Sequence, residues 1–300
     1  MLKYLAPRFP PRTVASHLTT ITLDNGRSKL IFNDSQIGHV AKAKPSYLVT
    51  NHLPPAPPPP THPDTPNSSL CPPFHIHLKE DETFHVLSGQ AKFLFLDQYH
   101  RGFIASKNTS TKNGITTQIA QPDTTVTIPK GQIHTFRNAS TTDPLIIEFG
   151  FSPPYPPPSN TPTPTPTCTS LTRPNTQKAQ IHAKMHRFFR NTQLYRSDCT
   201  TNQIPRSLIQ VLLFNHDADV ALVPNFLLGL HRRYPVLRGV IEQFIAPGMG
   251  RVMNVFGGVV LGKWVFGLRG SYKEYYNLEQ THISPKVRSN PGVLGDKPDK

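Results

Sequence analysis

Three histidines and one glutamate have a spacing that could gather them around one metal ion. His75 and His77 lie two residues apart, Glu82 follows five residues after His77, and His134 comes much later in the chain. Three imidazoles and one carboxylate suit a divalent transition metal such as Fe, Mn, Ni, Cu or Zn. Such a ligand set leaves one or two coordination positions open for a small-molecule substrate. The four residues are therefore the predicted metal ligands.

The first cluster must be positioned by β-strands. Residues i and i+2 of a strand point to the same face, so His75 and His77 are expected to project side by side. The polar run 79–81 favours a tight connection, and the apolar run 83–87 indicates a second strand that begins with Glu82. If the two strands form a hairpin, Glu82 returns to the two imidazoles.

The second cluster lies in residues 125–138. Val126 and Ile128 indicate a short strand, and the sequence Pro-Lys-Gly at 129–131 is typical of a turn. Extended structure is predicted to resume at residues 133–136, which would bring His134 to the other ligands.

Strand alternation also predicts the walls of a pocket. Phe84 and Val86 should share the face of Glu82, and Phe136 and Asn138 should share the face of His134. These four residues are the predicted lining of a substrate pocket.

The two clusters together resemble the paired signature motifs of the cupin superfamily. The matching patterns are HxH-x4-E-x6-G, which ends at Gly89, and PxG-x2-H-x3-N, which begins at Pro129. Asp123 departs from the family pattern, because the second motif usually begins with Gly. The resemblance implies a small jelly-roll barrel, or double-stranded β-helix, in which His75, His77, Glu82 and His134 bind the metal.

The predicted fold is mainly β with an α-helical C-terminal region. Changes of composition mark the boundaries between its parts, because proline-rich stretches cannot join a central ladder. The predicted parts are an irregular lead-in (1–17), a barrel (18–152) with a proline-rich insertion (53–69), a Pro/Thr-rich linker (152–170), an apolar helical region (171–285) and a disordered tail (286–300).

The last apolar run, residues 252–268, admits three interpretations. Its length approaches that of the shortest membrane spans, and Gly258-x3-Gly262 is a spacing found in closely packed membrane helices. Asn254 and Lys263 within the run weigh against a span. We favour a helix packed on the barrel or on a partner subunit, and peripheral membrane contact and a true span stay open as alternatives.

Charge and cysteines restrict the partners and the compartment. The net charge is +14, but the basic residues are scattered and no nucleic-acid module is recognisable, so no nucleic-acid partner is expected. The three cysteines show no C-x2-C spacing, and residues 1–13 lack the apolar core of a signal peptide. We expect a cytoplasmic protein, with membrane association and homodimerisation as open possibilities.

The C-terminal layout, which ends in GLRGSYKEYY, looks like that of single-barrel fungal cupins of polyketide secondary metabolism, which are described as oxidoreductases. This resemblance implies an oxidoreductase, with a dioxygenase-like enzyme as one form of it, for a small hydrophobic or aromatic substrate, with Glu82 as ligand or catalytic base. No G-x-G-x-x-G pattern predicts a nicotinamide or flavin site. The alternatives are metal-dependent isomerisation, dehydration or decarboxylation, and a non-catalytic binding or scaffold module.

Overall fold

The computed structural model describes residues 10–33, 47–57, 68–96, 109–152 and 173–277. The centre of the proline-rich insertion, nearly all of the predicted linker and the predicted disordered tail lie outside these ranges.

Twelve strands are found in the part of the chain that the structure describes, and they form two antiparallel six-stranded sheets. The strands are β1 (Thr20–Leu23), β2 (Ser28–Phe32), β3 (Val49–Leu53), β4 (His75–His77), β5 (Asp81–Ser88), β6 (Ala91–Leu96), β7 (Thr109–Lys112), β8 (Ile115–Ala120), β9 (Thr125–Ile128), β10 (His134–Asn138), β11 (Leu145–Ser152) and β12 (Val220–Leu222). The first sheet has the order β1-β2-β3-β11-β5-β9, and the second has the order β12-β4-β10-β6-β8-β7. This is the predicted jelly-roll architecture, and the prediction is confirmed.

Aromatic rings join the two sheets at the centre of the barrel. Phe84 of the first sheet has its ring centroid 5.0 Å from that of Phe136 and 5.1 Å from that of Phe93, both in the second sheet. Phe149, in the first sheet, lies 5.1 Å from Phe84. Tilted and edge-on pairs at these separations contribute packing energy beyond the burial of their area. The alternation of β5 and β10 therefore produces a solid aromatic core beneath the site.

Left-handed backbone positions form two turns next to the site strands. Gly89 has φ of +78°, and a side chain there would collide with the carbonyl oxygen of Pro144. Asp123, which replaces the usual glycine of the second motif, has φ of +63°. Aspartate tolerates this region better than most residues, so the turn survives the substitution.

The predicted hairpin between the first histidine strand and the glutamate strand is wrong. β4 pairs with β10 and β12 in the second sheet, whereas β5 pairs with β11 and β9 in the first sheet. The polar run between β4 and β5 therefore crosses from one sheet to the other. Glu82 meets the imidazoles across the interior of the barrel and not along a shared ladder.

The C-terminal region is helical, as predicted. Its helices are α1 (Arg173–Thr201), α2 (Leu208–Asp217), α3 (Asn225–Arg233) and α4 (Pro235–Val265). Ser207 caps α2, since its hydroxyl accepts a hydrogen bond from the Gln210 N–H at 3.4 Å. Pro224 and Pro235 mark the starts of α3 and α4, where a proline costs no helical hydrogen bond.

One stretch that was predicted to be helical is a strand. Within the predicted helical region 171–285, α2 ends at Asp217, and Asp219 adopts φ of +57°. Val220 and Leu222 then pair with His77 and His75 of β4. The edge of β4 supplies the hydrogen-bonding partners for this strand, and these partners are more than 140 residues away in sequence.

The barrel and the helices share one hydrophobic core, which includes Ile181 and Met185 of α1 together with strand residues. The ring of Phe189 lies 5.5 Å from that of Phe149. The described part of the lead-in packs on the C-terminal part of the chain: Ala15 is buried, and its N–H donates to the Glu274 carbonyl at 2.9 Å. The chain on both sides of the predicted linker therefore folds as one packed body.

Helix α4 packs on α2 through small residues. Gly258 lies against the backbone of Leu212 and Leu213, and the side-chain amide of Asn254 donates to the Val220 carbonyl at 2.7 Å. On length and composition alone, α4 could cross a membrane: its most apolar window has a mean hydropathy of 1.4, and only 22% of that window is buried. It therefore covers part of the protein on one side and leaves an apolar side uncovered.

Candidate metal centre

Four side chains from three strands converge at one end of the barrel. His75 and His77 project together from β4, as strand alternation predicts, and His134 of β10 lies in register opposite His75. Glu82 comes from β5 in the other sheet. All four are buried, and one ligand atom from each lies within 4.8 Å of the others. The structure thus brings together every residue that was predicted to bind the metal.

The contacts inside the cluster are short. The Nε2 atoms of His75 and His77 are 3.2 Å apart. Glu82 Oε2 lies 2.9 Å from His134 Nε2 and 3.3 Å from His77 Nε2. Separations of about 3 Å between ligand atoms are those expected when each is about 2.1 Å from a common transition-metal ion.

The hydrogen bonds of Nδ1 in two of the histidine rings determine whether Nε2 carries a hydrogen or a lone pair. His75 Nδ1 lies 3.1 Å from the Pro73 carbonyl oxygen, and His134 Nδ1 lies 3.0 Å from the Gln132 carbonyl oxygen. A carbonyl only accepts, so each Nδ1 must carry the hydrogen, and in a neutral ring Nε2 then presents a lone pair. Lone pairs that face one another and a carboxylate repel unless a cation lies between them. The donor set therefore fits a metal ion.

Burial and nearby charge shift the pKa values of two ligands. Burial, reinforced by the neighbouring His134 and His77 rings, holds the pKa of His75 well below its usual value. Burial alone would raise the pKa of Glu82, but positive charge at the positions of His77 and His134 outweighs burial and lowers that pKa, and a metal ion between these residues would act in the same direction. A neutral imidazole and an ionised carboxylate are the forms that bind metals.

A cavity of about 270 Å³ opens beside the cluster, with His75, His77 and Glu82 in its wall. Four phenylalanines make that wall largely aromatic: Phe136, Phe149, Phe188 and Phe189. The last two belong to α1, so the helical region closes the barrel over the site. An enclosed apolar space next to open metal positions is the usual form of a small-molecule site.

Five residues of the cavity wall have a buried polar side-chain atom without a hydrogen-bond partner among the described residues: Asn51, His77, Thr192, Gln193 and Asn215. Leaving a buried donor or acceptor unpaired costs about 1–3 kcal/mol. A ligand with oxygen or nitrogen atoms that reaches these groups would relieve that cost. The wall is therefore apolar in area and polar at chosen points.

Only one of the four predicted pocket residues lies in the cavity wall. Phe136 lines the cavity, but Phe84 and Val86 are fully buried behind it in the barrel core. The Asn138 amide donates to the carbonyl oxygens of Pro54 and Asp143, and these bonds hold the loop after β10. The faces were predicted correctly, but alternation alone does not say how deep in the barrel a residue lies.

Several cavity residues on the helices or in the connection between α1 and α2 were missed: Phe188, Phe189, Thr192, Gln193, Arg196, Arg206 and Asn215. A signal for part of this group was present, because residues 181, 185, 188 and 189 follow the period of one helix face. That period predicted a buried face but not its target. The docking of α1 on β11 decides that this face covers the metal site.

Sequence similarity to known proteins is partial. No protein-family model matches this chain. Oxidoreductase iacF of Pestalotiopsis fici is 27% identical over 157 residues, a match that covers 52% of this chain and 57% of that relative. The match thus spans little more than half the length of the relative.

Solved structures with a similar barrel include cupin domains. The Lactobacillus farciminis oxalate decarboxylase formate complex has a TM-score of 0.28 and 18% identity, over 46% of this chain and 32% of that chain. The Drosophila melanogaster CENP-C cupin domain has a TM-score of 0.27 and 10% identity, over 49% and 84% of the two chains. CapF from Staphylococcus aureus has a TM-score of 0.25 and 17% identity, over 43% and 30%.

These likenesses are partial, so the fold assignment depends on this chain's own features. It has two antiparallel sheets in jelly-roll order, both motif turns in the left-handed conformation, and a buried cluster of three histidines and one glutamate. The predicted resemblance to cupins is confirmed. The cluster fits a metal site of the cupin type.

Proposed function

We propose that this chain is a metal-dependent oxidoreductase that acts on a small aromatic or hydrophobic molecule. The observation that carries the proposal is that three of the four ligands, His75, His77 and Glu82, lie in the wall of a cavity of about 270 Å³ that four phenylalanines also line. The similarity to an oxidoreductase over about half of the chain supports it. A divalent transition metal, once bound, would polarise an oxygen atom of the substrate and could mediate electron transfer.

His75, His77 and His134 hold the metal as neutral ligands in this proposal. The Pro73 and Gln132 carbonyls orient two of these rings by accepting their Nδ1 hydrogens. Such outer hydrogen bonds fix the ring orientation and increase the basicity of the inner nitrogen. The barrel thus pre-organises the ligands before the metal arrives.

Glu82 has two roles in the proposal. Its low pKa keeps the carboxylate ionised, so it supplies the negative charge among the ligands. The same carboxylate lies in the cavity wall, and it would accept a proton from a substrate hydroxyl only after it leaves the metal and the histidines that lower its pKa. The sequence contains no nicotinamide or flavin pattern, so O2 is the electron acceptor that we propose.

The shape and lining of the cavity favour a flat, oxygenated substrate of the kind that polyketide assembly produces. Phe136, Phe149 and Phe189 offer ring faces, and the unpaired polar atoms offer hydrogen bonds to hydroxyl or carbonyl groups. An engineered cavity of about 150 Å³ admits benzene, so this one has room for a fused two-ring molecule. A place in secondary metabolism follows from this substrate class and is part of the proposal.

Elemental analysis of the purified full chain, followed by oxygen uptake with 3,5-dihydroxy-2-naphthoate, tests the proposal. We expect Fe, Mn or Cu in the wild type, and oxygen uptake that His134→Ala abolishes. Product formation without oxygen uptake would favour isomerisation, dehydration or decarboxylation instead. If the wild-type protein binds none of Fe, Mn, Ni, Cu or Zn, the proposal is wrong, and a non-catalytic binding module becomes the favoured function.

A further inference from the structure

Two arginines line the cavity that contains the metal ligands. Arg196 lies on α1, three residues beyond the buried Gln193, and Arg206 lies in the connection between α1 and α2. Among the residues that the structure describes, no carboxylate forms an ion pair with either guanidinium. Burial, together with the charge of Arg206, lowers the pKa of Arg196 to about 10. The two cations thus lie in one wall without an ion-paired carboxylate; Arg196 is partly buried, whereas Arg206 is exposed.

The nearby groups balance the charge of Arg196 only in part. Asp24 is the carboxylate that influences Arg196, but its Oδ2 already accepts hydrogen bonds from Ser28, from Ser68 and from the Ser69 N–H. The thiol of Cys71 is also close, and burial raises its pKa to about 12, so it is neutral. The positive charge of the pair is therefore only partly balanced within the protein.

We propose that Arg196 and Arg206 bind a carboxylate of the substrate, so that the cavity accepts an aromatic acid. Guanidinium groups suit this role because their fork of N–H donors matches the two oxygens of a carboxylate. Gln193 and Asn215 lie in the same wall, and the unpaired Asn215 Nδ2 would donate to a ligand oxygen while Gln193 Oε1 would accept from a ligand hydroxyl. This inference rests on the proposed function for the identity of the ligand as a substrate.

Binding of 2-naphthoate and of the neutral 2-naphthamide to the chelator-treated full chain tests the inference by calorimetry at pH 8. We expect the acid to bind at least about tenfold more tightly than the amide. Arg196→Gln and Arg206→Gln should each reduce acid binding towards the level of the amide and leave amide binding unchanged. Arg196→Lys should retain part of the preference, and thermal unfolding of each variant reports its folding.

The matched control is Arg233→Gln, which removes the same charge from an exposed arginine on α3 outside the cavity. It should leave both affinities unchanged. Equal binding of acid and amide, no binding of either, or a preference that survives both arginine variants would overturn the inference. The binding measurement uses protein without metal. A negative result would therefore not contradict the proposed metal centre, and a wild-type protein without metal can still be tested in this way.

A second inference comes from the uncovered side of α4, which we call the α4 apolar face. Its members are apolar and more than half exposed: Val236, Phe244, Val252, Phe256, Trp264 and Val265. The opposite side of the helix carries the glycines that contact α2. Soluble monomers rarely leave so many large apolar side chains uncovered along one element.

The charge around this face indicates its occupant. Residues 225–272 contain six Lys or Arg and one acid, Glu242, which pairs with His231. A second copy of the chain would bring two basic rims together, whereas an anionic lipid surface would complement them. Trp264 is of the type that prefers the boundary between lipid and water.

We infer that the α4 apolar face lies on an anionic membrane surface without crossing it. A helix across the bilayer would have to leave α2 and break the Asn254–Val220 hydrogen bond, whereas a helix in the interface keeps both contacts. Arg251 and Lys263 are exposed on the same helix, so their charges can reach the headgroups.

Flotation of the full chain with vesicles tests this inference. We expect binding to phosphatidylcholine vesicles that contain about 30% phosphatidylserine, and much weaker binding to phosphatidylcholine alone. Phe244→Asp with Phe256→Asp should reduce binding at least about tenfold. Val14→Asp places the same charge at an exposed apolar residue elsewhere and should have no effect. Unchanged binding by the double variant, or a stable dimer by light scattering that the double variant dissociates, would overturn the inference.

Discussion

His134 Nε2 lies 2.9 Å from Glu82 Oε2, although the two residues belong to opposite sheets of the barrel. The contact joins the sheets at the site, beyond the aromatic core that joins them at the centre. Both groups are buried, and the hydrogen of the imidazole is committed to the Gln132 carbonyl. The most direct reason to place a bare imidazole nitrogen against a carboxylate is a cation that binds both.

The first prediction concerns metal content. His134→Ala should lose the metal, because it removes one of four ligands and leaves the Glu82 charge with fewer partners. Loss of a mere outer-shell partner typically costs 10–100-fold in affinity, so loss of a ligand should cost more than about 100-fold. Elemental analysis after dialysis would show about one ion per wild-type chain and almost none in the variant.

His85→Gln is the control for that measurement. His85 lies on β5 three residues from Glu82, but it faces outward and its Nδ1 lies 2.9 Å from Glu148 Oε1. Its replacement should leave the metal content unchanged. Equal metal content in the His134 and His85 variants would show that the cluster does not bind the ion.

The second prediction concerns stability. A metal that binds only the folded chain should raise the free energy of unfolding by about 4 kcal/mol when present at about 1,000 times its dissociation constant. The midpoint of thermal unfolding should then rise by on the order of 10 °C. Mn²⁺ or Zn²⁺ added to chelator-treated protein should produce this shift, and Mg²⁺, which prefers oxygen ligands, should not. A similar shift in His134→Ala would place the bound ion elsewhere.

The third prediction concerns acid sensitivity. Burial favours protonation of Asp219, but hydrogen bonds and charges from Lys79 and Lys184 outweigh it and lower its pKa. A lowered folded-state pKa stabilises the protein above the unfolded pKa, and that contribution is lost as the pH falls through the folded value. Asp219→Asn should therefore reduce stability by about 1 kcal/mol at pH 7, and the difference should shrink below about pH 4.

Asp123→Asn is the matched control, because both aspartates adopt a left-handed backbone that asparagine also accepts. Its effect should be small at every pH. Denaturant unfolding at several pH values measures both variants. A constant difference between wild type and Asp219→Asn across the acid range would contradict the charge explanation.

The fourth prediction compares two glycines of α4. A Cβ at Gly258 would lie 2.8 Å from backbone atoms of Leu212 and Leu213, which cannot move aside cheaply. Gly258→Ala should therefore destabilise the protein by about 1–3 kcal/mol. A Cβ at Gly248 would meet nothing within 4 Å, so Gly248→Ala should stabilise the helix by about 0.5–1 kcal/mol. Equal effects in urea unfolding would argue against close packing of α4 on α2.

Short-range patterns predicted much of the barrel correctly. Alternation placed His75 beside His77, and the glycine and proline turns marked where strands end, because these features depend on the chain's own period and backbone freedom. β12 was missed for the opposite reason. Its three residues are extended because they pair with β4 at the edge of the second sheet. A local sequence pattern does not show that this strand will lie next to them.

Sequence patterns were sufficient to identify the side chains that could bind a metal, the strand faces on which they lie, and the turns between barrel strands. Only the folded structure shows that Glu82 comes from the opposite sheet, that Phe188 and Phe189 of α1 cover the site, and that Arg196 and Arg206 line the same cavity. The difference is one of distance along the chain. Ligand type and strand period are properties of neighbouring residues, whereas a cavity is what remains between elements after distant apolar faces have packed.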